Sequence, residues 1–541
     1  MDKILSFIRL RSNWLVLFIL IILKYAYYGY SYYPVRDDNN AYGIFRLYDN
    51  VFKDVILHYK TYTVRPVVAL LDPYFWTKLW DNLGLALLII TFVHFLSCIL
   101  IYKILKANNL NTGLGVMVIF SLMPLGSEAT YWINASTRIV VGLFFVVLSL
   151  YLLCIYFKNQ NNSRYGYFIL GAFFIIHLIS LGFYEQLIVL SLFATFPLFA
   201  LNWKRIKRKW IAVLPAINFC LITIWYKAFS GSGMAANRGM LVNSDYLEHT
   251  KKIIKSIFHI WKVALGELYN TGFIKGIRII TGDGNYLFFS LAVVLSITVA
   301  FIYIKEKGDA SCKTSVIKIL LGVFLFIVPF IPFFVLDTVT VFKRNIFLSF
   351  IGLGLVFEAL LGVLSRNAVL NIFRGFIVGM LVFVFLTANV YELYYYRQLG
   401  QIDREITGKI SMIKESAGYL NGEKNLILFN AKAMYIQTYA DRSPNCTNAD
   451  WALTGALEAN NGIAGLKLAY PVFNEYNMPL LKDIIKSSVL LGIDDARNIY
   501  PLKIEEEEKD LVILATYSGS EFGQIEILPG NHIIFHSSLK T

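Results

Sequence analysis

The sequence predicts an α-helical polytopic membrane protein of about eleven crossings, with a small C-terminal α/β domain outside the membrane. Three observations carry that expectation. Mean hydropathy is +0.57 and 57% of the residues are apolar, far from the composition of a soluble globule. Apolar stretches long enough to cross a bilayer recur from Trp14 to about Tyr395. Beyond about Gln398 the hydropathy falls and short strand-like runs replace the long ones. The aromatic share of 16%, with 34 Tyr and 42 Phe, suits interfacial belts. The +14 formal charge tempts a nucleic-acid reading. Lysines and arginines gathered in cytoplasmic turns explain it better, so no nucleic acid is expected as a partner. Cys98, Cys154, Cys220, Cys312 and Cys446 form no paired motif, so neither a zinc site nor a disulfide framework is implied.

Taken in order, the first apolar segment, about Trp14 to Tyr33, follows Lys3, Arg9 and Arg11, which places the N-terminus in the cytoplasm. No small-residue cleavage site follows it, so it is expected to stay as an anchor. The chain then emerges with two adjacent carboxylates, Asp37 and Asp38, in Pro34 to Gly43. Alone, such a pair reads as well as a solvated loop start or a helix cap. In the outer loop 34–81, Phe45, Tyr48, Phe52, Val55, Ile56 and Tyr59 fall at helical spacing, which fits a helix lying in the interface. The second to sixth spans are expected at about Asn82–Lys106, Thr112–Ser127, Ile139–Phe157, Tyr165–Tyr184 and from there to the basic run Lys204–Lys209. The seventh, about Ile211–Phe229, opens into a second large outer loop, 230–285. Its opening, Gly231 to Met234, reads as flexible. Its middle sets Ile253, Ile257, Phe258 and Trp261 against Lys251, Lys252, Lys255 and Lys262. That pattern suits either a helix resting on anionic lipid or a lid beside a bound lipid. Spans eight to eleven follow at about Tyr286–Ile304, Val316–Leu336, Ile346–Leu364 and Val369–Tyr395. The expected domains are therefore 1–396 in the membrane and 397–541 outside it. In the latter, Asn425–Asn430 and Leu511–Ala515 read as strands, and Ala449–Glu458 and Pro479–Ser488 as helices.

Several side chains stand out against that frame. Glu128 and Glu185 sit at the outer ends of apolar spans, where ionisable groups are costly and usually functional. For Glu128, an ion pair with Arg138 is one reading. Tyr131 and Trp132 suit an interfacial belt. Lys343 and Arg344 lie on the outer side, against the charge bias, so either lipid headgroups or a bound anion hold them. His94 and His177, inside spans, are expected as hydrogen-bonded packing residues.

The order of these signals resembles the GT-C superfamily of membrane glycosyltransferases. The resemblance runs from the aspartate pair in Arg36-Asp37-Asp38-Asn39-Asn40-Ala41, through Thr63-Val64-Arg65-Pro66, to an apolar span carrying a His and ending in Tyr102-Lys103. It continues with Pro124 to Trp132, Thr137-Arg138, Tyr184-Glu185-Gln186, and Lys343-Arg344-Asn345 leading the late segment. Serotype-converting O-antigen glucosyltransferases and protein O-mannosyltransferase-like proteins show similar arrangements. Here Asp-Asp replaces the Asp-Glu of the mannosyltransferase-like pattern, and Lys-Arg replaces Glu-Arg. The resemblance covers about Trp14 to Leu364 and leaves the C-terminal domain outside it.

The resemblance implies a GT-C-like fold and a donor sugar, glucose in the glucosyltransferases, carried on undecaprenyl phosphate. The acceptor would be an extracytoplasmic glycan such as O-antigen, and the protein would sit in the bacterial inner membrane with its C-terminal domain in the periplasm. It implies Asp38 or Asp37 as the base that takes the acceptor hydroxyl proton, a role typically worth about 10²–10⁴ in rate. Two neighbouring carboxylates repel, so one of them is expected to hold its proton more tightly unless a cation, with Arg36 and Lys60 as local candidates, or a divalent metal lies between them; no motif demands another cofactor. For the departing lipid phosphate the candidates are Arg344, then Lys343, Arg138 and Arg65, since a guanidinium fork binds phosphate bidentately. Glu128, Tyr131, Trp132, Tyr184 and Glu185 are the acceptor or sugar candidates. A flippase or polymerase of lipid-linked glycans would want its cations at bilayer depth. A non-catalytic envelope assembly protein would account for the C-terminal domain but not for the aspartate pair.

Overall fold

The computed structural model describes residues 2–27, 30–110, 112–160, 163–229, 246–306, 312–336, 341–364, 367–431, 446–472, 475–476, 484–507, 511–528 and 532–538. The chain divides into two compact units. One takes Met1–Ser31, Ile56–Leu71 and Gly84–Tyr394; the other takes Tyr32–Val55, Asp72–Leu83 and Tyr395–Thr541.

The first unit is helical. Its elements are α1 (Asp2–Ala26), α2 (Pro66–Tyr74, which ends in the second unit), α3 (Leu83–Ala107), α4 (Leu114–Leu122), α5 (Ser127–Tyr131), α6 (Ile133–Lys158), α7 (Ser163–Leu181) and α8 (Glu185–Asn202). There follow α9 (Leu214–Ala228), α10 (Tyr246–Gly266), α11 (Ile274–Gly282), α12 (Tyr286–Lys305), α13 (Cys312–Ile327), α14 (Lys343–Ile346) and α15 (Phe350–Val363). A long helix, α16 (Ala368–Met412), begins in this unit and ends in the second. Among the described residues nine helices are long and apolar enough to cross a membrane, and they fall on the predicted second and fourth to eleventh spans. The described apolar part of α1, Asn13–Ala26, is shorter.

The predicted third crossing takes a different form. Its helix, α4, has nine residues, about 13 Å of rise against about 30 Å of hydrocarbon. Pro124 is the physical reason. A proline disfavours αR in the residue before it, and Met123 turns out of the helix at ψ 118. The chain then continues through a 3₁₀ turn, Pro124–Gly126, into α5. In the second outer loop the basic amphipathic segment is α10, which buries Ile253, Ile260 and Ala264 and exposes Ile254 and Phe258. The predicted opening at Gly231 to Met234 lies outside the described residues.

Small residues set two of the helix crossings, as expected where lipid supplies no hydrophobic drive for helices to associate. Gly375 and Gly379 on α16 meet Ala300 and Ser296 on α12, where a Cβ would come within 2.8 Å of the Ala300 and Ser296 carbonyls. On α13 and α15, Gly322 and Gly352 face each other backbone to backbone, and a Cβ on Gly352 would collide with the Gly322 carbonyl and the Phe326 amide. Gly352→Ala is therefore expected to destabilise the protein by about 1–3 kcal/mol through overpacking. Thermal unfolding in detergent measures this, with Gly171→Ala as control, because nothing lies within 4 Å of a Cβ there. Equal melting of the two variants would refute the backbone contact.

The second unit is built on a mixed sheet. Its elements are α17 (Ala417–Leu420), β1 (Leu426–Phe429), α18 (Asp450–Asn461), β2 (Ala469–Val472), β3 (Glu475–Tyr476), β4 (Val489–Ile493), β5 (Ile499–Glu507), β6 (Leu511–Thr516), β7 (Glu521–Leu528) and β8 (His532–Ser537). The strand order is β2-β1-β4-β5-β6-β7-β8-β3. The first three strands are parallel and the remaining pairings antiparallel. β1 sits between parallel neighbours and is buried along its length, so it reads as a continuous apolar run rather than an alternating one. Its side chains still alternate in destination. Leu426 and Leu428 pack with Leu453 and Leu457 of α18 and with Ile406 and Ile410 of α16. Ile427 and Phe429 pack with Leu514, Phe522 and Phe535. The predicted strands and the predicted helix over Ala449–Glu458 correspond to β1, β6 and α18; the first half of Pro479–Ser488 lies outside the described residues, and its second half holds a 3₁₀ turn at Ile485–Ser487. Within this unit Glu458 of α18 accepts from the Gly465 and Leu466 amides at 2.7 and 2.8 Å. Burial nonetheless pushes its carboxyl above the usual range.

Candidate functional site

In the first unit, four chain breaks bring the predicted charged residues together. Three of them leave an extended residue before a helix: Trp132 (ψ 111) before α6, Tyr184 (φ −156, ψ 143) before α8, and Phe342 (φ −97, ψ 163) before α14. Arg65 stands just before Pro66, which opens α2, a position where proline's missing N–H costs nothing.

Glu128 of α5 holds Arg344 twice, accepting from its backbone N at 3.1 Å and from Nη1 at 2.8 Å. The Arg344 guanidinium also lies over the Trp132 ring at 5.4 Å and the Phe342 ring at 4.7 Å, both within cation–π range. Arg65 pairs with Glu185 at 3.2 Å and covers the Tyr184 ring at 4.8 Å. Lys343 lies 3.9 Å from Glu392 of α16. Asn345 joins these pairs. Its Nδ2 donates to the Tyr184 hydroxyl at 3.2 Å and to Gln186 Oε1 at 3.1 Å, while its Oδ1 accepts from the Phe342 amide. Gln186 in turn donates to the Pro329 and Asn345 carbonyls. The consecutive residues Lys343, Arg344 and Asn345 thus bring two ion pairs and an amide network together, and the ionic side chains of the three pairs are between 10% and 26% exposed.

The outcomes for individual residues differ. Arg344, not Arg138, is the partner the geometry gives Glu128; Arg138 donates from Nη1 to the Asn134 carbonyl of its own helix at 3.0 Å. Tyr131 and Trp132 are buried, at 1% and 2% exposure. Tyr131 stacks on Tyr25, and Trp132 underlies Arg344, so neither side chain presents an open face. His177 shares a hydrogen bond with Asn218 as expected. His94 does not match its expected role. Among the described residues neither ring nitrogen has a hydrogen-bond partner, and the ring packs edge-on against Phe120 and Phe347.

The aspartates lie in the second unit. Asp38 is 0% exposed. Its carboxylate accepts from the Val35 amide at 3.1 Å and from the Tyr32 hydroxyl, closing the turn that leads out of α1. Asp37 is a third exposed, with Arg36 Nε 4.0 Å away. Arg36 itself adopts φ 41, a left-handed conformation that costs a residue with a Cβ about 1–3 kcal/mol. Beyond it the predicted interfacial helix is a broken series of turns: π at Asn39–Ile44, 3₁₀ at Phe45–Leu47 and π at Val51–Leu57. The first of these turns, Asn39–Ile44, is seated tightly on α18, with Gly43 against Ala459 and Trp80.

Four residues of weight escaped the sequence-based selection of site residues. Asn345 and Gln186 lie inside quoted motifs, but their amides carry no charge to draw notice. Glu392 and Lys24 are ionisable groups within apolar spans, a signal that could have found them. Lys24 is 2% exposed and donates to the Ser121 carbonyl at 3.2 Å and Thr130 Oγ1 at 3.3 Å, tying the end of α4 to α5, which carries Glu128. A cavity of about 80 Å³ lined by aliphatic side chains such as Ile101, Leu143 and Leu321, with Asn108 beside them, contains none of the predicted site residues. Among the described residues no group of three or more His, Cys, Asp or Glu side chains is placed to hold a metal ion.

Comparison with known proteins adds no relative: no family model, no curated protein and no solved structure matches the chain.

Proposed function

We propose that this chain is a GT-C type membrane glycosyltransferase that moves a monosaccharide, glucose, from undecaprenyl phosphate to an extracytoplasmic glycan such as O-antigen. One observation carries the reading. Four segments far apart in sequence, at Arg65, Glu128 to Trp132, Tyr184 to Gln186 and Lys343 to Asn345, meet in a single half-buried polar cluster among apolar helices. Ionisable groups at such positions are costly and are usually retained for function.

In this reading the Arg344 fork serves Glu128 and a phosphate together, because a guanidinium offers five donors in a fixed plane. Lys343 and Arg65 add charge to the same cluster, and Asn345 and Gln186 hold the segments in register. Asp37, the more exposed of the two carboxylates, takes the proton of the acceptor hydroxyl as that oxygen bonds to the anomeric carbon. The bond from that carbon to the phosphate oxygen breaks, and its electron pair leaves with the lipid phosphate. Asp38, fully engaged by Val35 and Tyr32, holds the turn. A second reading, a non-catalytic envelope assembly protein, draws on the matching of each clustered cation by a carboxylate, since such pairs can serve structure alone.

Incubating the purified full-length protein with radiolabelled undecaprenyl-phosphate glucose and an O-antigen acceptor tests the proposal. Label appearing in the glycan is the expected result. A folded protein that transfers none from this or any other lipid-linked sugar would leave the assembly reading in its place.

A further inference from the structure

The C-terminal domain had no role in the resemblance, yet the loop bearing the aspartate pair folds as part of the same unit. Three contacts within that unit seat the loop on α18. Arg36 lies over the indole of Trp451, in the first turn of α18, with Cζ 4.9 Å from the ring centroid. Gly455, one turn further, accommodates the Asn40 side chain where any Cβ would collide with it. Near the end of the helix the Ala459 carbonyl accepts from Arg46 Nη2 at 3.2 Å, and Gly43 packs against Ala459. The first contact stands apart from the others. Trp451 is 41% exposed, so part of its ring faces outward rather than into the core. What it supplies is a face for a guanidinium whose own backbone is left-handed and whose Nε is 4.0 Å from the Asp37 carboxylate. A residue held in a sparsely populated conformation persists only where its surroundings over-determine it.

We propose that α18 is the seat of the aspartate loop, and that Trp451 is a positioning residue that acts through Arg36 to fix the Asp37 carboxylate. The catalytic half of this statement rests on the transferase reading above; the seating half does not. A π face at this place fixes the guanidinium plane without taking any of its N–H donors, which remain available for carboxylates. A lysine at position 36 would keep the charge and lose the stack.

Hydrogen–deuterium exchange and transfer kinetics on the full-length protein test both halves. Trp451→Leu is expected to speed amide exchange across residues 36–44 and to lower kcat, each by roughly tenfold, the scale of a cation–π contact of about 1–2 kcal/mol. KM for the lipid-linked sugar is expected to stay unchanged, and the melting temperature to fall only slightly, since a contact of that size moves the midpoint of a large chain little. Trp451→Phe should restore both exchange and kcat. Arg36→Lys should match Trp451→Leu, and the double variant should be no worse than either single one, because both remove the same contact. Unchanged exchange in Trp451→Leu overturns the seat, whatever the transfer rate. Faster exchange with kcat intact, or additive losses in the double variant, overturns the positioning role. A wild-type protein that transfers nothing sinks the transferase reading instead, and the exchange measurements then decide the seat alone.

Discussion

Asp37→Asn is expected to cut sugar transfer by about 10²–10⁴-fold, the usual contribution of a positioned general base, while the protein melts as the wild type does. The geometry separates this residue from its neighbour. Asp37 is a third exposed and makes its nearest ionic contact at 4.0 Å, so an amide in its place disturbs little of the fold. Asp38 is fully buried and accepts from Val35 and Tyr32. Replacing its charge-assisted acceptors with an amide, which must find partners for two new N–H donors, should cost about 1–3 kcal/mol of stability. The pair of variants therefore discriminates. Loss of transfer with normal melting in Asp37→Asn, and lowered melting in Asp38→Asn, supports the division of roles. The reverse pattern, an inert but stable Asp38→Asn beside an active Asp37→Asn, would assign the proton to Asp38.

Arg344→Ala should raise KM for the lipid-phosphate donor by roughly 10–100-fold, corresponding to the loss of hydrogen bonds to a charged group worth about 1.5–3 kcal/mol. It should also lower the melting temperature, because Glu128 loses its partner at a position 17% exposed. The two effects can be separated. Adding Glu128→Gln removes the unmatched carboxylate and is expected to recover stability without recovering donor affinity. Arg344→Lys keeps the charge and loses the fork, and should fall between wild type and alanine. If donor dependence is the same in all four proteins, Arg344 has a structural duty only, and the cluster belongs to the fold rather than to a phosphate.

The long spans were legible because a run of eighteen or more apolar residues has few alternatives. The nine qualifying helices fall where that rule places them. The third span misled for a local reason, since hydropathy averages across Pro124 whereas Met123, just before that proline, leaves the helix. The turns after Asn39 misled differently. Of the residues at helical spacing only Val55 and Ile56 are buried and Phe52 is 57% exposed, whereas Asn40 and Gly43, which carry no such signal, are the ones seated on α18. In the cluster, residue types could be chosen from chemistry, yet partners could not. Glu128 and Arg344 are 216 positions apart, and Arg138, much nearer in sequence, was the partner the sequence suggested. Asn345 and Gln186 show the same limit from the other side. Uncharged amides become informative only when their neighbours are known.

The facing glycines of α13 and α15 bear on how a bulky substrate could enter. Where two backbones touch directly, no layer of side chains remains to swing aside, so that joint is the stiffest place in its neighbourhood. Arg344 and Asn345 hang from the start of this rigid crossing. If the cluster binds a lipid-linked sugar as proposed, that ligand would meet a fixed wall on that side. Any yielding has to come from surfaces that carry compliant side chains, and α10, with Ile254 and Phe258 unburied, is one such surface.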